Sequence, residues 1–222
     1  MARTFRPDLK QLLRALANEV TFGNAHLRIV TGLRDADPTV RGTASYFFGL
    51  TIRAHLEAAQ MYAAKLFDTD PGAETIHTLL RTAEKNTRLF TNGNPQEVNS
   101  AVRAATQQVI GVEPVLKAVR IRRNKALAHL DPETVRDAVK VARDSKLTLS
   151  DLSKILDTAG RVVNSISMLY LNEAHLIRFP FDDDYKQALE RIAEAECARI
   201  RKYENEFKLK WFGVRPKSCP PN

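Results

Sequence analysis

Apolar residues recur three and four positions apart over long stretches of this chain, and this periodicity constrains the fold more than any other feature. The first stripe follows Pro7 and Asp8 and consists of Leu9, Leu12, Leu13, Leu16, Val20 and Leu27. One face of an α-helix presents residues with this spacing, whereas a half-buried strand requires strict alternation. Only 9 Gly and 10 Pro occur in 222 residues, so helix-breaking residues are rare. No alternating run requires a strand, and we therefore expect an all-α fold.

Further stripes of the same spacing are separated by turn-forming or helix-capping residues. They cover residues 48–67, 73–85, 98–130, 149–169 and 184–208. Gly111 and Pro114 are expected to kink or break the third of these. Thr148 with Asp151 forms a capping box at the start of the next helix. We therefore predict about six helices, packed as a single domain over residues 5–209, with a flexible C-terminal tail at 210–222.

Charge and composition exclude several classes of protein. Lys and Arg outnumber Asp and Glu by 34 to 26, which favours phosphate-bearing partners. Cys197 and Cys219 are too few and too far apart in sequence for a disulfide framework, and the histidines lack metal-ligand spacing. No run approaches the roughly 20 apolar residues of a membrane span, and no Gly-rich loop indicates an ATPase or kinase. We expect a soluble, cytoplasmic protein without metal or cofactor.

The positive charge is concentrated near the end of the 98–130 stripe. Residues 117–125 contain no acid and include Lys117, Arg120, Arg122, Arg123 and Lys125. Such a run can be a solvated basic face at the end of a helix. Arg123, however, continues the apolar face of Leu116 and Val119 at roughly 100° per residue. An inward cation must be paired or face a groove. The alternatives are an ion pair between helices and a cation directed at a phosphate.

Asn124 and His129 complete a set of side chains that suffices for RNA cleavage without a metal. His129 can exchange protons near neutral pH, and Arg123 can stabilise the charge of a phosphate in the transition state. Asn124 can fix a water, a phosphate oxygen or the imidazole, and the RNA 2′-OH would be the nucleophile. His129 lies about 120° around a straight helix from Arg123. Either the helix is distorted near Pro132, or two copies of the motif form one site across a dimer.

The Arg123-Asn124 pair, separated by four residues from His129, resembles the signature of the HEPN superfamily. The longer string from Arg123 to Asp131 resembles its abortive-infection (AbiU-like) branch, whose first conserved helix is similar to Thr51–His55 and Lys65–Asp68. This resemblance implies an antiparallel HEPN-like bundle that forms a homodimer with the two motifs facing each other across a cleft. It also implies a metal-independent endoribonuclease of a defence or toxin system.

Carried onto this chain, the resemblance gives Arg123 and His129 the essential roles and makes Asn124 their polar companion. Arg122 is a possible substitute for Arg123, since the family tolerates variable spacing. We expect Arg120, Arg122 and Lys125 to bind the RNA backbone. An antitoxin or a nucleotidyltransferase is a possible partner. Two alternatives stay open: a catalytically inactive HEPN module that binds RNA, nucleotide or protein, and a purely structural interaction protein.

Several aromatic residues and acids outside the basic segment have simpler interpretations. Tyr46, Phe47 and Phe48 are expected to pack in the core rather than stack on RNA bases. Trp211 either packs back onto the helices or contacts a partner. The acids at 182–184 are expected to cap the last helix.

Overall fold

The computed structural model describes residues 8–90, 92–124, 136–177, 184–208, 211 and 213–219. Every regular element in these ranges is helical, which confirms the predicted fold class. The α-helices are α1 (Leu9–Asp35), α2 (Pro38–Gly42), α3 (Ser45–Leu66), α4 (Ile76–Lys85), α5 (Pro95–Ile110), α6 (Glu113–Arg122), α7 (Ala138–Asp144), α8 (Leu149–Leu171) and α9 (Asp184–Phe207), with a 3₁₀ turn at Thr87–Leu89. Among the helices within these ranges, none combines the length and apolarity that a membrane span requires.

The described ranges contain more helices than the sequence predicts, because two short helices, α2 and α7, escape the periodicity and one long stripe is interrupted. Helix α2 has five residues and contributes Val40 as its buried residue. The 98–130 stripe breaks where it was expected to, since α5 ends at Ile110 and α6 begins at Glu113. Pro114 occupies the first turn of α6, where its missing N–H costs no helical hydrogen bond.

Side-chain caps start two of the long helices, and the sequence predicts the one at Thr148. Asn94 accepts hydrogen bonds from the backbone N–H groups of Gln96 and Glu97 at 2.9 Å each, and the Glu97 carboxylate accepts from Asn94 N–H at 2.9 Å. Thr148 and Asp151 form the corresponding reciprocal pair at the start of α8. Both capping boxes satisfy backbone donors that the helix itself leaves unpaired.

The chain groups into two compact units. Unit 1 contains Met1–Leu27 and Glu57–Phe179, and unit 2 contains Arg28–Leu56 and Pro180–Asn222. The prediction of a single domain over 5–209 stays a prediction.

The hydrophobic core of unit 1 forms around α8. This helix packs against α4, α5 and α6, and α6 also packs against α7. Its fully buried residues include Leu152, Ile155, Leu156, Ala159, Val162, Val163 and Ile166. Each of the buried Leu, Ile and Val side chains contributes about 1.5–3 kcal/mol by leaving water. Because Leu116 and Val119 of α6 are also buried, the C-terminal end of α6, which carries the basic segment, has a fixed position in unit 1.

Unit 2 joins α2 to α9 and holds part of the C-terminal tail. The Trp211 ring packs at 5.4 Å, edge to face, against Tyr203, and the Arg199 guanidinium lies 4.9 Å from its centre. Trp211 therefore packs back onto the helices. Arg215 forms an ion pair with Glu204, and Lys217 N–H donates to Asp37 at 2.8 Å. These contacts involve only the described residues of the tail. The predicted flexibility of residues 210–222 is a statement about motion, which static contacts do not test, and it stays a prediction.

The prediction of core packing for the aromatic cluster at the start of α3 holds for one residue of the three. Phe48 is 4% exposed, whereas Tyr46 and Phe47 are 79% and 61% exposed. The prediction is therefore wrong for Tyr46 and Phe47. On a helix, three consecutive residues point about 100° apart, and only Phe48 lies on the stripe that continues along α3.

Candidate functional site

The candidate site lies at the C-terminal end of α6 in unit 1. Arg123 follows the helix with helical backbone angles, φ −54° and ψ −51°. Arg123 and Asn124 continue the chain in π-helical geometry, a wider turn than the α-helix. Such turns are frequent at functional sites because they redirect side chains. The buried residues Leu116 and Val119 hold the preceding turns in place, so the direction of Arg123 is set by packing.

The Arg123 guanidinium is held on two sides. Its Nη1 atom lies 2.5 Å from Oδ2 of Asp68, just beyond the end of α3, and its Nε donates to Oδ1 of Asn124 at 2.9 Å. The side chains of Arg123 and Asp68 are 26% and 28% exposed. The ion pair between helical segments that the sequence allowed is therefore present, but it is open to solvent on one side. Of the two alternatives for Arg123, pairing is observed, and binding of a phosphate stays a prediction.

Asp68 is an ionised carboxylate, and each of its oxygens accepts a hydrogen bond. Its Oδ1 accepts the backbone N–H of Asp70 at 3.1 Å, while Oδ2 accepts from Arg123. These hydrogen bonds, led by that of Asp70, lower the pKa of Asp68 against a smaller opposing effect of burial. Asp68 is therefore a fixed negative charge at neutral pH and is unsuited to proton transfer.

The neighbouring arginines have different partners. Arg122 donates from Nε to the backbone carbonyl of Ser145 at 2.7 Å, between α7 and α8. Burial lowers the pKa of Arg122, although an arginine stays charged at neutral pH. Arg120 binds both carboxylate oxygens of Glu113, at 2.5 and 3.5 Å. Both residues thus stabilise the structure around α6. That either binds RNA phosphates stays a prediction.

His77 on α4 is an ionisable group near α6 that the sequence did not single out. Its Nε2 atom and the Nε atom of Arg120 are both buried, and neither has a hydrogen-bond partner among the described residues. Burial lowers the pKa of His77; the charges of Arg120 and Arg81 lower it further, and Glu113 opposes them. His77 is therefore a neutral imidazole at physiological pH, packed edge to face against Phe67.

Lys125 and His129 lie outside the described residues, as do Asp131 and Pro132. The angle between Arg123 and His129, and the site shared between two copies of the motif, therefore stay predictions. Of the six predicted site residues, Asn124 and Arg123 are brought together directly. Arg120 and Arg122 are on the same helical segment but face other partners.

A cavity of about 290 Å³ adjoins the Asp68–Arg123 pair. It is lined by Ala15, Leu16, Glu19, Lys65, Leu66, Asp68, Ala73 and Glu74. Lys65 and Glu19 form an ion pair across it at 3.4 Å. Within the described ranges, no three His, Cys, Asp or Glu side chains are arranged to hold a metal ion.

Among the other histidines, His175 is held by several hydrogen bonds within unit 1. His175 exchanges two backbone hydrogen bonds with Asn164, and its Nε2 lies 3.1 Å from Ser167 Oγ. Burial lowers the pKa of His55 on α3 and, as the largest effect, that of His175. These contacts give His175 a structural role in unit 1.

Sequence reasoning did not assign Asp68 a role. The residue lies 55 positions before Arg123, and no local spacing connects the two. The one available signal was that Asp68 ends the Lys65–Asp68 segment whose pattern resembled that of the AbiU-like branch.

Comparison with known proteins gives one match. A family model described as AbiU2, of the HEPN type, matches residues 6–195. The match includes both segments on which the resemblance rested, and it covers the Asp68–Arg123 pair. No curated protein and no solved structure matches the chain.

Proposed function

Because the chain belongs to the AbiU2 family of HEPN proteins, we propose that it is a metal-independent endoribonuclease of an abortive-infection or toxin system. The observation that carries this proposal is the guanidinium of Arg123. It is oriented by Asp68 and Asn124, and its side chain is 26% exposed. A pre-oriented cation of this kind can stabilise the charge that develops on a phosphate during cleavage.

The proposed reaction uses the RNA as its own nucleophile. A 2′-oxygen attacks the adjacent phosphorus, and the bond from phosphorus to the 5′-oxygen breaks. The products are a 2′,3′-cyclic phosphate and a 5′-hydroxyl. His129 of one copy removes the proton of the 2′-OH, and His129 of the second copy donates a proton to the leaving oxygen. Arg123 binds the phosphate, and Asn124 keeps the guanidinium in place.

We place this site at the interface of a homodimer. A straight helix would separate Arg123 and His129 by about 120° around its axis, and two facing motifs overcome this separation. The proposal includes a cytoplasmic location and an antitoxin or nucleotidyltransferase as a possible protein partner.

Arg122 and Lys125 are proposed to bind flanking phosphates, together with Arg120. Arg122 uses its Nε for Ser145, which leaves its terminal nitrogens for a phosphate. Arg120 has to exchange Glu113 for a phosphate, so we expect it to contribute the least of the three.

A second candidate is a module that binds RNA, nucleotide or a protein partner without cleaving RNA. The ion pair with Asp68 favours a role other than catalysis, because it already neutralises much of the charge with which Arg123 would stabilise a transition state. This candidate predicts salt-sensitive binding without turnover.

The test is cleavage of single-stranded and transfer RNAs in the presence of EDTA. We expect Arg123→Ala to lower the cleavage rate by about 10²–10³-fold, the range for loss of one charge-stabilising donor. His129→Ala should lower it at least as much. Arg191→Ala, which removes an exposed arginine of α9, serves as the control and should cleave like the wild type. Equal cleavage by the wild type and His129→Ala would contradict the proposal, and binding without products would support the second candidate.

A further inference from the structure

The carboxylate of Asp68 is itself held more firmly than an ordinary surface acid. Asp68 N–H donates to the carbonyl of Lys65 at 3.3 Å, and Asp70 N–H donates back to Oδ1 at 3.1 Å. Oδ2 therefore points at Arg123 from a fixed frame.

One donor edge of the Arg123 guanidinium has no acceptor among the described residues. Nη1 is used by Asp68 and Nε by Asn124, whereas Nη2 donates to no described residue. A planar guanidinium that is fixed at two nitrogens has its remaining N–H groups fixed as well. The open side of this ion pair is thus an oriented donor, rather than a loosely held charge.

A purely structural ion pair would look different. When the charges of such a pair are sealed from water, the cost of desolvation is repaid only if their donors and acceptors are fully used. Here both side chains keep about a quarter of their surface exposed, and Asp68 is one of the residues that line the 290 Å³ cavity. An open pair of this kind contributes little to folding, so its geometry calls for another explanation.

We propose that Asp68 is the positioning residue of Arg123, which directs the Nη2 edge of the guanidinium at the RNA phosphate. This inference rests on the proposed endoribonuclease function. Asp68 has two opposing effects. Its hydrogen bond orients Arg123 for the transition state, and its charge weakens the attraction of Arg123 for RNA in the ground state. Removal of the charge should therefore separate catalysis from binding.

The decisive variant is Asp68→Asn, which keeps the shape and removes the charge. We expect its single-turnover cleavage rate to fall by about 10–100-fold, the size of effect that a misplaced catalytic group produces. Its affinity for a 2′-O-methylated RNA, which cannot be cleaved, should become severalfold tighter. Asp68→Glu keeps the charge and should recover part of the rate. A merely structural role would not tighten RNA binding.

Asp70→Asn is the matched control. It makes the same change of charge in the same turn, and the asparagine oxygen can still accept from Gly72. Its cleavage rate should stay within about twofold of the wild type, because the Asp70 side chain makes no hydrogen bond with Arg123. A wild-type rate in Asp68→Asn overturns the inference, as does a rate that falls only in proportion to a loss of folded protein.

A measurement that needs no activity separates this inference from the proposed function. The Nε–H group of Arg123 gives an NMR signal that can be assigned by its loss in Arg123→Lys. We expect its hydrogen exchange to be slow in the wild type and faster in Asp68→Asn. Equal exchange in both proteins overturns the positioning role. Absence of RNA cleavage by the wild type, with slow exchange present, overturns the proposed function instead.

Discussion

Two cysteines that are far apart in the sequence meet in unit 2. Cys197 of α9 and Cys219 of the tail are both buried, and neither is in a disulfide bond. Burial raises the pKa of the Cys197 thiol, and its hydrogen bond with Cys219 adds to this effect. The thiolate is the reactive form of cysteine. Proximity alone therefore does not make this pair reactive at neutral pH.

We predict that Cys197 resists alkylation in the folded protein. Its raised pKa lowers the thiolate fraction at pH 8, and burial limits access, so iodoacetamide should react more than about tenfold slower than with a free thiol. Mass spectrometry of peptides after timed labelling measures the rate. In guanidinium chloride both cysteines should react at the free rate. Rapid labelling of Cys197 in the native protein would contradict the burial described here.

At the scale of elements, Gly32 of α1 sets how closely Tyr185 of α9 can approach within unit 2. A Cβ atom on Gly32 would lie 2.1–2.2 Å from the Cζ, Cε2 and hydroxyl oxygen atoms of Tyr185. Such a contact is far inside van der Waals separation. The aromatic ring is rigid, unlike a flexible side chain. Either α9 or the Tyr185 side chain must therefore move.

Gly32→Ala should therefore destabilise the protein, against the usual effect of this substitution in a helix. We expect a loss of about 1–3 kcal/mol in the free energy of unfolding, typical of overpacking. Gly49→Ala in α3 is the control, because nothing lies within 4 Å of its added Cβ. It should gain up to about 1 kcal/mol from helix propensity. Urea denaturation measures both variants, and shifts of the midpoint in the same direction would contradict this account.

The sequence predicts the elements better than it predicts the contacts among them. Asn94 and Thr148 start their helices through partners two or three residues away, so the signal is local and readable. Helix α2 was missed because five residues are too few to show a period. The Asp68–Arg123 bond joins residues 55 positions apart, and such a pairing depends on how helices pack. Tyr46 and Phe47 were misassigned for a related reason, since the direction of a helix face is a property of tertiary packing.

At the scale of the whole molecule, the histidines and carboxylates with lowered pKa values change stability with pH in one direction. Burial lowers the pKa values of His55, His77 and His175, so the unfolded chain takes up protons before the folded protein does. Hydrogen bonds lower the pKa values of Asp37, Asp68, Asp151 and Glu196 in the folded state as well. For both sets, the stabilisation is present above the unfolded pKa and is lost as the pH falls through the folded pKa.

We predict that the free energy of unfolding falls in two stages on acidification. The histidines act first, from about pH 6.5 downward, and the carboxylates act from about pH 4 downward. Urea denaturation midpoints at pH 7.5, 6, 5 and 4 test the order. A midpoint that stays constant between pH 7.5 and 5 would show that the buried imidazoles do not contribute. A higher midpoint at pH 5 would show that the sign is wrong.

The three arginines around the end of α6 are identical in chemistry but bound to different kinds of acceptor. Arg120 binds a carboxylate of its own helix, Arg122 a backbone carbonyl, and Arg123 a carboxylate beyond another helix. A one-residue insertion or deletion between Glu113 and Arg120 would rotate all three away from their acceptors together. It would also leave the carbonyl of Ser145 without this donor, so Arg122 is poorly suited to replace Arg123. Length variation in this motif among relatives should therefore be confined to the segment after Asn124, where the chain leads toward His129.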